Sequence, residues 1–173
     1  MHETGAELAQ LQRLLDDSLA RATDHLRSIV VPGERTLTAA ALSGVLTGMC
    51  TLAIATTTAA GEPRISAIDG HFWHGRWIFG TSRTAAKAVH LAARPAVSVA
   101  HLRGEELGVF THGRARPLNP GAGTPDDPGW PAILDYLAAH YGSSPLSWGD
   151  VIYYRLDPEW MVAFAADPAS LLG

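Results

Sequence analysis

The chain has 173 residues, of which 47% are hydrophobic and 17% charged, and this suits a single globular domain with its own core. Thirteen basic against 17 acidic residues give a net charge of −4, which argues against a general nucleic-acid binder. The single cysteine, Cys50, excludes an intrachain disulfide and a Cys-x-x-Cys site, and it fits a reducing cytoplasm. The N-terminus lacks the pattern of a signal peptide, so none is expected.

The first elements in the chain are helical. Leucines and other apolar residues recur at steps of three and four over residues 6–29, which predicts one long amphipathic helix ended by Pro32-Gly33. A short helix is predicted from Thr38 to Leu46, with Thr38 as its cap.

Residues 36–61 carry no charge and so imitate a membrane span. The segment nevertheless holds seven threonines and the glycines Gly44 and Gly48, and its pattern changes midway from helical to strand-like. A membrane span needs about 20 predominantly apolar residues, so no membrane segment is predicted here.

From residue 50 the sequence alternates between short strands and turns. Strands are predicted at 50–57, 64–70, 76–82, 96–102, 107–115, 151–156 and 159–165, helices at 83–93 and 130–142, and a surface loop at 117–129. Six or seven strands with few crossover helices predict a mainly β fold, an antiparallel sheet closed into a small barrel whose open ends the helices cover.

A phosphate site is suggested where the third of these strands meets a helix. With Ser82 as the cap, the hydroxyls of Thr81, Ser82 and Thr84 and the cations Arg83 and Lys87 would converge on one helix N-terminus. An ordinary surface helix with a solvated lysine is the alternative at this point.

Residues 51–115 resemble the pyridoxamine 5′-phosphate oxidase-like, FMN-binding split-barrel family. The matching features are a turn with Gly61-x-Pro63, an Arg at the start of the next strand, and a strand ending at Thr81. Lys87 follows six residues later, then Pro95-x-Val97-Ser98 opens another strand, and a late "HGRA" also fits.

The resemblance implies a six-stranded antiparallel split β-barrel with flanking helices, here with a long N-terminal helix. Residues 1–35 would form a helical extension and residues 36–173 the barrel domain. The family is usually homodimeric, with its cofactor in a groove between the subunits. The resemblance places the cofactor phosphate on Arg64 and Lys87, beside Ile65, Ser66, Gly80 and Thr81. The local pattern adds Ser82, and Arg83 as a substitute cation.

Three departures from the family's namesake oxidases stand out. Ala85-Ala86-Lys87 replaces a Ser-Arg-Lys run, a glutamine expected near Leu107 is absent, and the chain ends without an Arg-Leu-His-Asp-Arg motif. Pyridoxamine phosphate is therefore not the expected substrate.

The resemblance implies a cytoplasmic homodimeric oxidoreductase that binds FMN and acts on a small redox substrate. The deazaflavin F420 is the alternative cofactor, and haem is the least favoured.

No catalytic residue stands out and no metal site is predicted, because histidines such as His101 and His112 lack a ligand constellation. The second hypothesis is a non-catalytic binder or sensor of haem, flavin or biliverdin. The aromatic residues Phe72, Trp73 and Trp77 either line the cofactor pocket or fill the core.

Overall fold

Six antiparallel strands close into a barrel in the computed structural model of the chain, which describes residues 2–121 and 123–172. Three residues lie outside these ranges: residue 1 of the predicted helical extension, residue 122 of the predicted surface loop and residue 173 of the predicted barrel domain. The strands are β1 (Met49–Thr57), β2 (Pro63–Trp73), β3 (Arg76–Ser82), β4 (Ala96–Arg103), β5 (Leu107–Pro117) and β6 (Val151–Ala165). The helices are α1 (Gly5–Ala20), α2 (Asp24–Ile29), α3 (Ala39–Val45), α4 (Ala86–Ala93) and α5 (Trp130–Tyr141), followed by a 3-10 helix (Pro145–Trp148).

The order of strands around the barrel is β1-β2-β3-β6-β5-β4, and pairing of β1 with β4 closes it. This confirms the predicted six-stranded antiparallel barrel. Alternate residues of each strand point inward, so that Leu52, Ile54, Trp77 and Phe79 are fully buried inside the barrel.

A second apolar layer lies outside the barrel, where α5 covers the outer face of β2, β3 and β6. Its buried members are Ile78, Leu118, Trp130, Ile133, Leu137 and Tyr153. A strand covered on both faces reads as a continuous apolar run, and this explains why Trp77, Ile78 and Phe79 are consecutive buried residues of β3.

The predicted single helix over residues 6–29 is wrong, because the structure divides it into α1 and α2. The Thr23 side chain accepts a hydrogen bond from the Leu26 backbone N–H and so caps a new helix. Helix α1 packs on β6, where the fully buried Ser18 hydroxyl accepts a hydrogen bond from the Met161 N–H at 2.9 Å.

The two strands predicted at 151–156 and 159–165 are one strand, β6, which runs through Asp157-Pro158. The register against β5 shifts between His112 and Gly113, so that Glu159 is the extra residue of a β-bulge. Proline lacks the N–H that a regular ladder needs and is accommodated at such a bulge. A Cβ at Gly113 would overlap the Asp157 carbonyl oxygen, which explains the glycine in "HGRA".

The uncharged segment 36–61 contains α3 and β1. In the described residues, no helix is long and apolar enough to cross a membrane.

Candidate functional site

A groove of about 340 Å³ opens between the middle of β2, the end of β3, the start of α4 and the C-terminal end of α5. Its lining residues are Ala67, Ile68, Asp69, His71, Gly80, Thr81, Ser82, Lys87, Tyr141, Trp148, Val151 and Tyr153. We call this the cofactor groove, after the sequence-based prediction that a cofactor phosphate binds here. Four of the eight predicted site residues line it, namely Gly80, Thr81, Ser82 and Lys87.

Lys87 is the only lysine in the sequence, and it lies half-buried at the rim of this groove. Its ammonium donates a hydrogen bond to the carbonyl oxygen of Ala67 on β2, with Nζ and O 3.3 Å apart. Within the described residues it pairs with no carboxylate, so its charge is available to an anion from outside the chain.

The predicted cap of the following helix is wrong in its position. Helix α4 begins at Ala86, with Ala85 as its N-cap, and Ser82 does not cap it. The Ser82 hydroxyl instead forms a turn with Thr84, with the two side-chain oxygens 2.9 Å apart. Lys87 is consequently the second residue of the helix rather than a full turn inside it.

The other four predicted residues lie elsewhere. Arg64 is exposed and pairs with Glu62, with Nη2 and Oε2 2.6 Å apart. Ile65 is 75% exposed and Ser66 is half-buried, both on β2 before the part of the strand that lines the groove.

Arg83 is held by the loop after β5 and by Asp150, which directly precedes β6. Its guanidinium donates to the Asp150 carboxylate at 2.9 Å and to the Pro120 carbonyl at 2.9 Å, and also to the Asn119 carbonyl. These contacts anchor the loop, so Arg83 reaches a ligand only by giving them up.

Gly80 and Tyr153 form the floor of the groove. The two residues are paired in the β3–β6 ladder, and a Cβ at position 80 would overlap the Tyr153 ring. Burial raises the pKa of Tyr153 to about 12, so its hydroxyl stays protonated at neutral pH. The floor is therefore aromatic and uncharged, which suits a flat apolar ring.

A buried histidine, which sequence reasoning missed, lies at the inner end of the groove. His71 is 2% exposed, and its Nδ1 and Nε2 lie 3.0 and 2.9 Å from the hydroxyls of Tyr136 and Tyr141. Burial, with the neighbouring His140 second, lowers the pKa of His71 to about 4. No local motif marks this contact, because it forms only when α5 packs across β2.

The two histidines considered from the sequence as possible ligands, His101 and His112, form hydrogen bonds within the protein. His101 is buried, and its Nδ1 lies 3.0 Å from the Thr51 carbonyl oxygen. His112 bonds to the Ser98 hydroxyl at 2.8 Å and stacks on Trp160. Of the aromatic residues left open by the sequence, Phe72 and Trp77 are buried in the barrel core and pack edge to face.

An apolar face lies on the outer side of β4, β5 and β6, away from the cofactor groove. It surrounds a depression of about 480 Å³, and its exposed apolar members include Leu102, Phe110 and Ile29, of which Leu102 is 57% and Phe110 40% exposed. Patches of this kind on a protein surface mark interaction sites.

No protein-family model matches the sequence, and no curated protein matches it. Solved structures do match. A pyridoxamine 5′-phosphate oxidase homologue from Listeria innocua aligns with 73% of this chain and 96% of its own, at 10% identity and a TM-score of 0.56. A FAD-binding protein from Mesorhizobium loti aligns over 77% and 98%, at 20% identity and a TM-score of 0.53.

The haem storage protein HutZ from Vibrio cholerae aligns over 66% of this chain and 85% of its own, at 21% identity and a TM-score of 0.53. An F420 reductase aligns over 69% and 94%, at 18% identity and a TM-score of 0.50. At these identities the likeness shows the fold, which is the split barrel of pyridoxamine 5′-phosphate oxidase-like proteins. Proteins of this fold therefore differ in the cofactors that they carry.

Proposed function

We propose that the cofactor groove binds a phosphate-bearing flavin or deazaflavin, FMN or F420, and that the protein is an oxidoreductase acting on a small molecule. The observation that carries the proposal is the position of Lys87, unpaired with any described carboxylate, beside the hydroxyls of Thr81 and Ser82. An ammonium and hydroxyl donors at the start of a helix suit a phosphate. When bound, such a cofactor supplies hydride transfer, while the protein holds and orients it.

Apart from the exposed Asp69 carboxylate, which also lines the groove, the residues of the groove fit such a ligand. Lys87, Thr81 and Ser82 would hold the phosphate, and the uncharged aromatic floor at Tyr153 would lie under the ring. Trp148, which is 50% exposed at the mouth, adds a second aromatic wall. Arg64 remains a predicted phosphate contact. To bind the phosphate, its guanidinium would have to break its ion pair with Glu62.

Haem fits the groove less well. His71 is the histidine that lines the groove in the described part of the chain, and hydroxyl groups engage both of its ring nitrogens. An axial ligand needs a free imidazole nitrogen. The presence of a haem storage protein among the structures of this fold makes haem the comparison ligand for the experiment.

The test is a parallel titration of the purified protein with FMN, F420 and haemin, followed by fluorescence, absorbance and thermal shift. The proposal expects FMN or F420 to bind and to raise the melting temperature. Binding of haemin alone, or of none of the three, would overturn it. A bound flavin that no hydride donor reduces would support the second hypothesis, a non-catalytic binder or sensor.

Replacement of Lys87 by alanine is expected to weaken binding of FMN or F420 by about 1.5–3 kcal/mol, because one charge-assisted hydrogen bond to phosphate is lost. Isothermal titration calorimetry measures the change. Arg94→Ala is the matched control, since it removes one positive charge from the other end of α4, where Arg94 donates to the Thr57 carbonyl. Equal dissociation constants for Lys87→Ala and Arg94→Ala would remove the support for the phosphate assignment.

The resemblance implies a homodimer with the cofactor groove between its subunits, but the exposed apolar face lies away from that groove, and we propose that a second copy of the chain binds to this apolar face. Replacement of Phe110 by aspartate is expected to convert a dimer to a monomer, because the interface would bury an unpaired charge. Sedimentation velocity of the two proteins checks this. Leu146→Asp, at a residue 45% exposed outside this face, should leave the dimer intact. A wild-type monomer, or a dimeric Phe110→Asp variant, would refute the assignment.

A further inference from the structure

A second, smaller cavity lies on the other side of α5 from the cofactor groove. It has a volume of about 140 Å³ and is lined by His2, Glu3, Ser43, Leu46, Thr47, Gly48, Phe72, Tyr136 and His140. We call it the polar cavity. Among the described residues, Ser43 Oγ is the one fully buried side-chain oxygen or nitrogen that lacks a hydrogen-bond partner. Ser43 is 3% exposed, and a cavity of this size and polarity can hold the water that such a hydroxyl requires.

A chain of three side chains joins the two cavities. Tyr141 lines the cofactor groove, and its hydroxyl lies 2.9 Å from His71 Nε2. The other ring nitrogen, Nδ1, lies 3.0 Å from the hydroxyl of Tyr136, which lines the polar cavity. Both distances are those of ordinary hydrogen bonds, so the contacts are continuous from one cavity to the other.

We propose that Tyr136, His71 and Tyr141 form a proton relay between the polar cavity and the cofactor groove. The inference rests on the proposed function, since a redox cofactor in the groove is what would require a proton there. Reduction by hydride transfer is commonly accompanied by proton uptake, and the relay would supply that proton at the inner end of the groove, where His71 is 2% exposed.

The protons balance along the relay without any change in the number of electrons on the protein. The Tyr141 O–H bond breaks toward the groove, and the Tyr141 oxygen takes the proton of His71 Nε2–H. His71 Nδ1 in turn takes the proton of Tyr136, and the Tyr136 oxygen takes one from water in the polar cavity. Oxidation of the ligand runs the same transfers backward, so the relay returns to its starting tautomer in each cycle.

The protonation states suit this role. A neutral imidazole has one donor and one acceptor nitrogen, and therefore passes a proton between the two hydroxyls that face it. The depressed pKa of His71 keeps the ring neutral at physiological pH. Burial, with Asp69 second, raises the pKa of Tyr141, and burial, with Cys50 second, raises that of Tyr136, so both hydroxyls carry their protons. The other titratable group packed on His71 is His140, at a ring-centroid distance of 4.9 Å.

The first arm of the test uses the ligand-free protein. Exchange of the His71 ring N–H with D₂O, followed by ¹⁵N NMR, reports proton movement along the relay. The relay predicts that the double variant Tyr136→Phe with Tyr141→Phe slows this exchange by about tenfold, because it removes both hydroxyls that pass protons from the ring to water. A purely structural role for the two tyrosines predicts faster exchange, since the lost hydrogen bonds would loosen the ring. Unchanged or faster exchange would overturn the relay.

The second arm uses the protein loaded with whichever of FMN and F420 binds. The expected result for Tyr136→Phe is an unchanged dissociation constant, because Tyr136 does not line the groove, with reduction of the bound ligand by a hydride donor slowed about tenfold and a changed solvent isotope effect. Tyr154→Phe is the matched control: it removes the hydroxyl of a buried tyrosine outside the relay, whose ring stacks on Phe79.

The outcomes separate the two proposals. Tight binding with an unchanged rate and isotope effect in Tyr136→Phe would overturn the relay alone. Failure of the wild-type protein to bind FMN or F420 would overturn the proposed function, and the relay would then have no redox ligand to serve.

Discussion

Replacement of Trp77 by alanine is expected to lower the free energy of unfolding by about 3–5 kcal/mol, the range for removing a large aromatic residue from a core. Trp77 is fully buried inside the barrel and packs edge to face on Phe72, with ring centroids 5.0 Å apart. Its indole N–H also donates to the hydroxyl of Thr111 at 3.2 Å, and Thr111 is itself fully buried. Urea denaturation followed by circular dichroism measures the loss.

Trp77→Phe is the matched variant, because it keeps an aromatic ring and removes the indole N–H. It should cost about 1–3 kcal/mol, most of it from the Thr111 hydroxyl left without its donor. A loss below about 1 kcal/mol for Trp77→Ala would contradict the barrel core described above.

Stability is expected to fall by about 3 kcal/mol as the pH is lowered from 7 to 4, because of His71. The pKa of this histidine is about 4 in the folded protein and 6.5 in an unperturbed chain, mainly because it is buried. Between these two values the unfolded chain binds a proton that the folded protein does not. The unfolded state is therefore favoured as the pH falls through this window, and the protein is stable above it.

Urea titrations at several pH values check the expectation, with His71→Gln as the control. Glutamine does not titrate and can still form hydrogen bonds, so the variant should show a much flatter profile between pH 6.5 and 4. Carboxylates begin to titrate at the lower end of this window, but they are the same in both proteins, so they do not account for the difference between the two profiles. Parallel profiles for the wild-type and variant proteins would show that His71 is not the responsible group.

The barrel could be predicted from the sequence because the patterns that specify its strands and turns are local. Alternating apolar residues such as Leu52 and Ile54 give the strands, and turn residues such as His74-Gly75 give their boundaries. The two wrong element predictions, the single helix over residues 6–29 and the division of β6 into two strands, also had local causes, but these are harder to recognise in the sequence. Thr23 caps a second helix within an unbroken apolar stripe, and Pro158 is tolerated inside a strand because a bulge accommodates it.

The candidate site was predicted in part. The resemblance brought Gly80, Thr81 and Lys87 together, and the structure places them on one groove. The resemblance gave no signal that Arg83 would hold a loop, because this contact depends on the fold of residues 119–150. The contacts of His71 were equally hidden, since its partners lie 65 and 70 residues away on α5.

Because Lys87 is the only lysine, the central claim can be tested on one side chain. The measurement is the rate at which an amine-reactive acetylating reagent modifies Lys87, read by peptide mass spectrometry, with and without saturating FMN or F420. The bound cofactor is expected to slow modification of Lys87 about tenfold or more, because the phosphate covers its ammonium, and to leave the rate at the α-amino group unchanged. Equal rates at Lys87 with and without bound cofactor would contradict the central claim, because the phosphate would then lie elsewhere.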